Sequence, residues 1–476
     1  MIERKLNKAD IFREKELDKI HNVTMEILEE NGMQVLSEKA RDIFEENGCR
    51  VEGEQVFINR ELIEKSIKKA PSQFTFYARN PENNVIIGGD NTVLAPGYGA
   101  PFVMDYTENK RVRSSYEDYI NFTKLAGNSE NIDVVGGVLV EPNDIKDELR
   151  HAKMFQAAVK YTDKCLMGSA MGRKKALDSV KMASIVFGGE DYVKEHPVLL
   201  TLINTNSPLE LDDRMSDALM VYSEYKQAMV IASLSMTGTT APTTIAGALV
   251  IQNAEILTGI TLAQLINPGT PVIYGSASSV VDLKTGDLAI GSPETSKMFN
   301  GTAQIARYYD IPSRGGGALT DSINPDAQSG YESMMNFMSA VKSGFNFILH
   351  SAGLLENYMT MSYEKFMMDD EVCGMVTNFF QGLNVDDDHL AKDVILNVGS
   401  SGNYVGEMHT YNHMRDLREP ILSSRERYMS NKEQPDAFVR AGKLYKEILD
   451  EYEAPELDKE IEKQLQKFID NIEVKK

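Results

Sequence analysis

The chain has 476 residues, 42% of them hydrophobic and 25% charged, and a formal charge of −21. That length exceeds one ordinary domain but fits a single large barrel with terminal additions, since such barrels run from about 200 to more than 400 residues. The acidic balance disfavours nucleic acid and anionic membranes as partners, because phosphate binding needs clustered Lys and Arg.

The chain opens on Glu3, Arg4, Lys5, Lys8 and Asp10 and shows no apolar core of a signal peptide, so a cytoplasmic location is expected. Apolar runs stop short of the ~18 residues of a membrane span, and no transmembrane helix is expected. Cys49, Cys165 and Cys373 lie far apart without a CxxC pair, which argues against a disulfide framework or a zinc ribbon.

Residues 1–90 read as a mixed α/β cap. Leu17, Ile20, Ile27 and Leu28 form a helical stripe ended by Asn31-Gly32, Ile43 and Phe44 form another ended by Asn47-Gly48, and Phe74 and Phe76 alternate as in a strand. From there to residue 385 the pattern is eight short apolar runs, beginning near Val93, Val134, Cys165, Val198, Met229, Val272, Ile311 and Phe345. Each is followed by a segment of helical character, which predicts a closed (β/α)8 barrel in the α/β class. A doubly wound sheet is the rival, but no strand leads into a GxGxxG turn. Residues 386–476 read as a C-terminal helical extension. Its stripes, Phe438, Ala441, Tyr445, Ile448, Tyr452 and then Ile461, Leu465, Phe468, are expected to pack on the barrel or on another subunit of a homo-oligomer.

Chemistry in such a barrel sits where strands end. Those ends carry Gly97-Tyr98-Gly99 with Phe102, Glu141, Tyr274-Gly275-Ser276, Gly315-Gly316-Gly317 and His350-Ser351, and Arg314 lies within the seventh run beside the glycine triplet. The set is aromatic, hydroxylic and glycine-rich. It contains no His and carboxylate cluster at metal spacing and no Lys placed for a Schiff base.

Gly97-Tyr98-Gly99-Ala100-Pro101, Thr320-Asp321-Ser322 with Pro325-Asp326 and Gln328-Ser329-Gly330-Tyr331-Glu332, and His409-Thr410 with His413 and Arg415 together resemble the trimethylamine methyltransferase family over almost the whole chain. The resemblance implies a barrel that presents a methylamine to a separate corrinoid protein. The founding trimethylamine enzymes carry pyrrolysine in the barrel, whereas this chain reads through with ordinary residues only. It therefore resembles the members that demethylate quaternary amines such as glycine betaine, proline betaine, carnitine or γ-butyrobetaine, passing the methyl to Co(I) of a corrinoid (cobalamin) carried by the partner.

Chemistry makes that departure intelligible. A quaternary ammonium already carries full positive charge and leaves as a neutral tertiary amine, so no catalytic acid, base, metal or tightly bound cofactor is expected, only positioning and desolvation. Lacking N–H donors, the cation suits aromatic faces, at roughly 0.5–2 kcal/mol per contact. With no Trp in the chain, Tyr98, Phe102, Tyr274 and Tyr331 are the candidate cage. Phe102 and Tyr331 read equally well as packing.

Glu141 offers a counter-charge to the ammonium or is an ion-paired or capping carboxylate. His350 and Arg314 are candidate donors to a betaine carboxylate. Their alternatives are a core histidine and a structural ion pair. His409 and His413, spaced i, i+4, lack the glutamate after the first histidine that a zincin helix needs, and read as structural or partner-docking residues. Asp386-Asp387-Asp388 reads as a solvated loop or helix start. Two other functions fit the same residues: a betaine-binding or sensing barrel without turnover, and a lyase or hydrolase in which Glu141 and His350 converge as an acid/base pair.

Overall fold

The structure is a computed structural model that describes residues 1–430 and 433–473. Eight parallel strands form the barrel: β1 (Asn91–Leu94), β2 (Val134–Gly136), β3 (Cys165–Met167), β4 (Leu199–Asn204), β5 (Ala228–Ser233), β6 (Val272–Ser276), β7 (Ser313–Gly316) and β8 (Phe347–Leu349). Each is followed by its helix: α1 (Tyr116–Asn128), α2 (Asp147–Tyr161), α3 (Gly172–Val186), α4 (Asp213–Glu224), α5 (Ile245–Ile266), α6 (Pro293–Tyr308), α7 (Ala327–Ser343) and α8 (Tyr363–Phe380). All eight strands coincide with the eight apolar runs of the sequence.

Parallel pairing runs continuously from β2 through β8 and on to β1, where Phe347 sits opposite Val93. Asp133 completes the ring: its backbone N–H donates to the Leu94 carbonyl at 2.9 Å, and its carboxylate accepts the Leu94 N–H at 2.9 Å. One side chain thus takes the place of a ladder bond at the seam between β1 and β2.

Alternation along each strand decides what faces the lumen. Val93, Ala95, Val134, Cys165, Met167, Leu200, Leu202, Ala228, Val230, Ala232, Ile273, Phe347 and Leu349 form the inner core. The N-terminal mouth is plugged by a hairpin, Gln73–Phe76 with Val85–Gly88, which drives Phe76, Val85 and Ile87 into that core. The Cys165 thiol donates to the Phe76 carbonyl at 3.4 Å. With this end sealed, the opposite, C-terminal mouth is the one left for a ligand.

Helix α5 is long and apolar enough, by length and composition, to cross a membrane, contrary to the sequence expectation. Here 72% of its most apolar window is buried inside the fold. It lies between the sheet and the N-terminal helices Glu14–Glu30 and Arg60–Ile67, so it is apolar all round because it is covered all round.

Candidate functional site

Four side chains converge at the C-terminal mouth. Arg314 lies on β7 in register with Phe347 of β8 and Gly275 of β6, and takes the inward parity that Phe347 shares. It is 1% exposed, and its Nη1 donates to the Ser276 carbonyl at 2.6 Å. Its Nε has no hydrogen-bond partner, and among the described residues no carboxylate lies within ion-pair distance of it. Burial pulls the guanidinium down to about 10.

His350 follows β8 directly in a left-handed conformation, φ 64°, with its N–H donating to the Pro96 carbonyl at 3.0 Å and its carbonyl accepting the Ala318 N–H at 2.9 Å. This backbone is unusual for a non-glycine residue and turns the ring back over the lumen. The ring is buried and its Nδ1 has no partner. Burial first, and the Arg314 charge second, hold the imidazole well below its ordinary range, so it is neutral at physiological pH.

Tyr358 stacks at a tilt against His350, ring centroids 4.9 Å apart. It is delivered by a turn in which Glu356, Asn357 and Tyr358 are all left-handed, with φ of 52°, 52° and 73°. Three such residues in a row are costly without support. Support comes from Arg111, which binds the Glu356 carboxylate at 2.6 and 2.7 Å while its guanidinium covers the Phe102 ring at 4.3 Å.

Tyr98 faces the same space from the β1 loop, within electrostatic reach of Arg314, and burial pushes its phenol up to about 12. Its ring lies on Gly137, where a Cβ would come within 2.6 Å of Tyr98 Cε2. Beneath it is a cavity of about 160 Å³ lined by Gly137, Met167, Leu202 and Asn204 among others. An apolar cavity of ~150 Å³ holds one benzene-sized molecule. The mouth therefore offers a guanidinium, a neutral imidazole and two aromatic faces beside a small cavity.

Comparison with known proteins gives one answer. The family model described as trimethylamine methyltransferase (MTTB) matches residues 1–475. The chain belongs to the trimethylamine methyltransferase family. Among curated proteins it is 50% identical to the glycine betaine methyltransferase of Desulfitobacterium hafniense strain Y51, over 98% of this chain and 97% of that protein. It is 31% identical to the proline betaine:corrinoid methyltransferase of Eubacterium limosum, over 82% of each. Among solved structures, the Methanosarcina barkeri monomethylamine methyltransferase covers 95% of this chain and 97% of its own at a TM-score of 0.52 and 12% identity, which establishes the shared barrel fold.

Within this family member the sequence candidates divide. Tyr98, Arg314 and His350 are brought together, while four others are placed elsewhere. Tyr274 has the outward parity of β6, and its hydroxyl donates to Asn253 Oδ1 on α5 at 3.0 Å, so it cements the sheet to a helix and does not see the lumen. Tyr331 is 63% exposed on α7. Phe102 serves as the platform for Arg111. Glu141 is ion-paired with Arg150 and is half-exposed, so it does not converge with His350 as an acid/base pair.

Sequence reading missed Tyr358, because nothing local marks a tyrosine in a tight turn as lumen-facing. It also missed Glu332, next to Tyr331. Glu332 is buried and accepts Thr320 Oγ1 at 2.6 Å and the Asp321 N–H at 2.9 Å. It thereby shapes the loop that holds Asp321, whose carboxyl is raised by burial. The helical period was the available signal, since position 332 lies on the buried face of α7 with Ser329, Ser333 and Asn336.

Proposed function

We propose that the protein is a betaine demethylase that passes one methyl group to the reduced corrinoid of a separate protein. The observation that carries this reading is the Arg314–His350 pair. A buried guanidinium without a carboxylate partner is costly, and a neutral imidazole with a free ring nitrogen stands beside it. A carboxylate-bearing ligand satisfies both: it pairs with Arg314 and accepts an N–H from His350.

The trimethylammonium end of a betaine then meets the faces of Tyr98 and Tyr358, which attract it by cation–π contact without competing for a hydrogen bond. The work of the chain is to hold both ends and strip water from the cation. The C–N bond breaks with its electron pair going to nitrogen, which leaves as a neutral tertiary amine, while the methyl is taken by the cobalt nucleophile of the partner. No proton moves. The names of the relatives, glycine betaine and proline betaine methyltransferases, support the same substrate class.

The test is a panel of glycine betaine, proline betaine, carnitine, choline and tetramethylammonium incubated with the enzyme and reduced cobalamin, followed by loss of the Co(I) absorbance. Turnover confined to carboxylate-bearing substrates is the expected result. Turnover of tetramethylammonium at an equal rate would refute the carboxylate clamp, and tight binding without turnover of any of them would make the protein a sensor.

A further inference from the structure

We propose that the C-terminal arm carries a structural zinc-class metal site, formed by Asp388, His409 and His413, that is separate from the methyl-transfer pocket. The arm contains α9 (Asp387–Leu390), α10 (Lys392–Val398) and α11 (Met408–His413). From Gln381 to Pro420 no residue is buried. Three short helices without a core have no hydrophobic reason to keep their arrangement, and chains in that position are held by cross-links or metal ions.

Three of the seven histidines of the chain meet in this segment. His409 and His413 are one turn apart on α11, their rings 4.3 Å apart, and His389 of α9 lies 5.1 Å from His413. One ligand atom each from Asp388, His409 and His413 fall within 4.8 Å of one another. His413 Nε2 is 3.2 Å from Asp388 Oδ2, and His409 Nε2 is 3.0 Å from the Asp388 carbonyl. These contacts bring α11 against α9 across some twenty residues of chain.

The outer contacts also fit a metal. Asp416 Oδ2 holds His413 Nδ1 at 2.5 Å, which fixes the ring and leaves Nε2 pointing at Asp388. That is the carboxylate–histidine–metal arrangement, which sets the tautomer and raises ligand basicity. Two imidazole ligands and one carboxylate leave a fourth tetrahedral position for water. His389, His413 and Asp416 make a second, overlapping triplet. We choose the first because in the second Asp416 would have to be a ligand and could no longer orient His413. A metal here also answers the spacing seen in the sequence: the pair His409/His413 has the helical geometry of a zinc ligand pair without the zincin glutamate, as befits a structural site.

The experiment uses the full chain, dialysed against zinc and then against metal-free buffer, with zinc measured by plasma mass spectrometry. About one zinc per chain is expected in the unaltered protein, near none in His409→Asn or His413→Asn, and full retention in His389→Asn. Asp416→Asn should weaken zinc about 10–100-fold. Trypsin cleavage at Lys392, Arg415 and Arg418 should slow with zinc and recover on adding chelator, whereas unfolding of the barrel stays unchanged in every variant. Failure to retain zinc, or retention that survives His413→Asn, overturns the site. Loss in His389→Asn with retention in His409→Asn overturns the ligand set.

Discussion

Burial and, second to it, the neighbouring guanidinium of Arg314 hold the His350 imidazole neutral. Arg314 on β7 and His350 just past the end of β8 sit at the same mouth of the barrel, both buried, and neither is ion-paired with a carboxylate among the described residues. A positive group next to an uncharged acceptor–donor ring suits an anion, and on the proposed reading the substrate carboxylate is that anion.

His350→Ala should therefore cost binding of glycine betaine about 1.5–3 kcal/mol, one to two orders of magnitude in affinity, and almost nothing for tetramethylammonium. Arg314→Gln should follow the same pattern with a larger loss. Calorimetry on both ligands separates the readings. Equal losses for the two ligands would make His350 a support of the barrel.

Affinity for a betaine should be flat from about pH 7 to pH 9, because His350 is already neutral there, and should fall as pH passes about 10, where Arg314 loses its proton. Stability gives the complementary sign. The folded His350 refuses a proton that the unfolded chain accepts near 6.5, so its contribution is complete above that value and declines below it, by at most about 1.4 kcal/mol per pH unit. In His350→Gln this part of the acid-side slope should disappear from urea titrations.

Tyr358→Leu should weaken the ammonium end by about 0.5–2 kcal/mol on every quaternary amine, with or without a carboxylate. Tyr274→Phe should leave all affinities unchanged and lower the unfolding free energy by about 1 kcal/mol through loss of the bond to Asn253. The contrast between the two tyrosines checks the placement of the cage.

Gly317→Ala tests whether the backbone beneath His350 is part of the site. A Cβ at position 317 would lie 2.9 Å from Ser351 Cα and 3.0 Å from the His350 carbonyl oxygen, both main-chain neighbours that cannot rotate away. The variant is expected to fold with about 1–3 kcal/mol less stability and to lose betaine discrimination as His350 shifts. Unaltered selectivity would show that the ring tolerates displacement.

Phe102→Ala should act at a distance. With the platform gone, Arg111 loses its stacking and Glu356 its fixed partner, so the left-handed turn carrying Tyr358 relaxes. KM for all quaternary amines should rise, while the fluorescence-monitored unfolding midpoint moves little. Full rescue by Phe102→Tyr is expected because the ring face is kept.

Much of this molecule was determined by the sequence alone. Eight apolar runs separated by helical segments place every barrel strand, because burial on both faces demands continuous apolarity wherever the chain falls. Strand ends name Tyr98 and His350, and the seventh run names Arg314, for the same reason: in a barrel, position along the strand is position along the axis. Parity is where the reading stopped. Tyr274 and Arg314 both lie within barrel strands, yet one faces α5 and the other the lumen, and a run that is apolar on both sides hides which residues alternate inward. Register with Phe347 and Gly275 settles it. Tyr358 and the partnership of Asp388 with His409 and His413 were beyond the sequence altogether, since they depend on left-handed turns and on contacts across a fold, which no local pattern encodes.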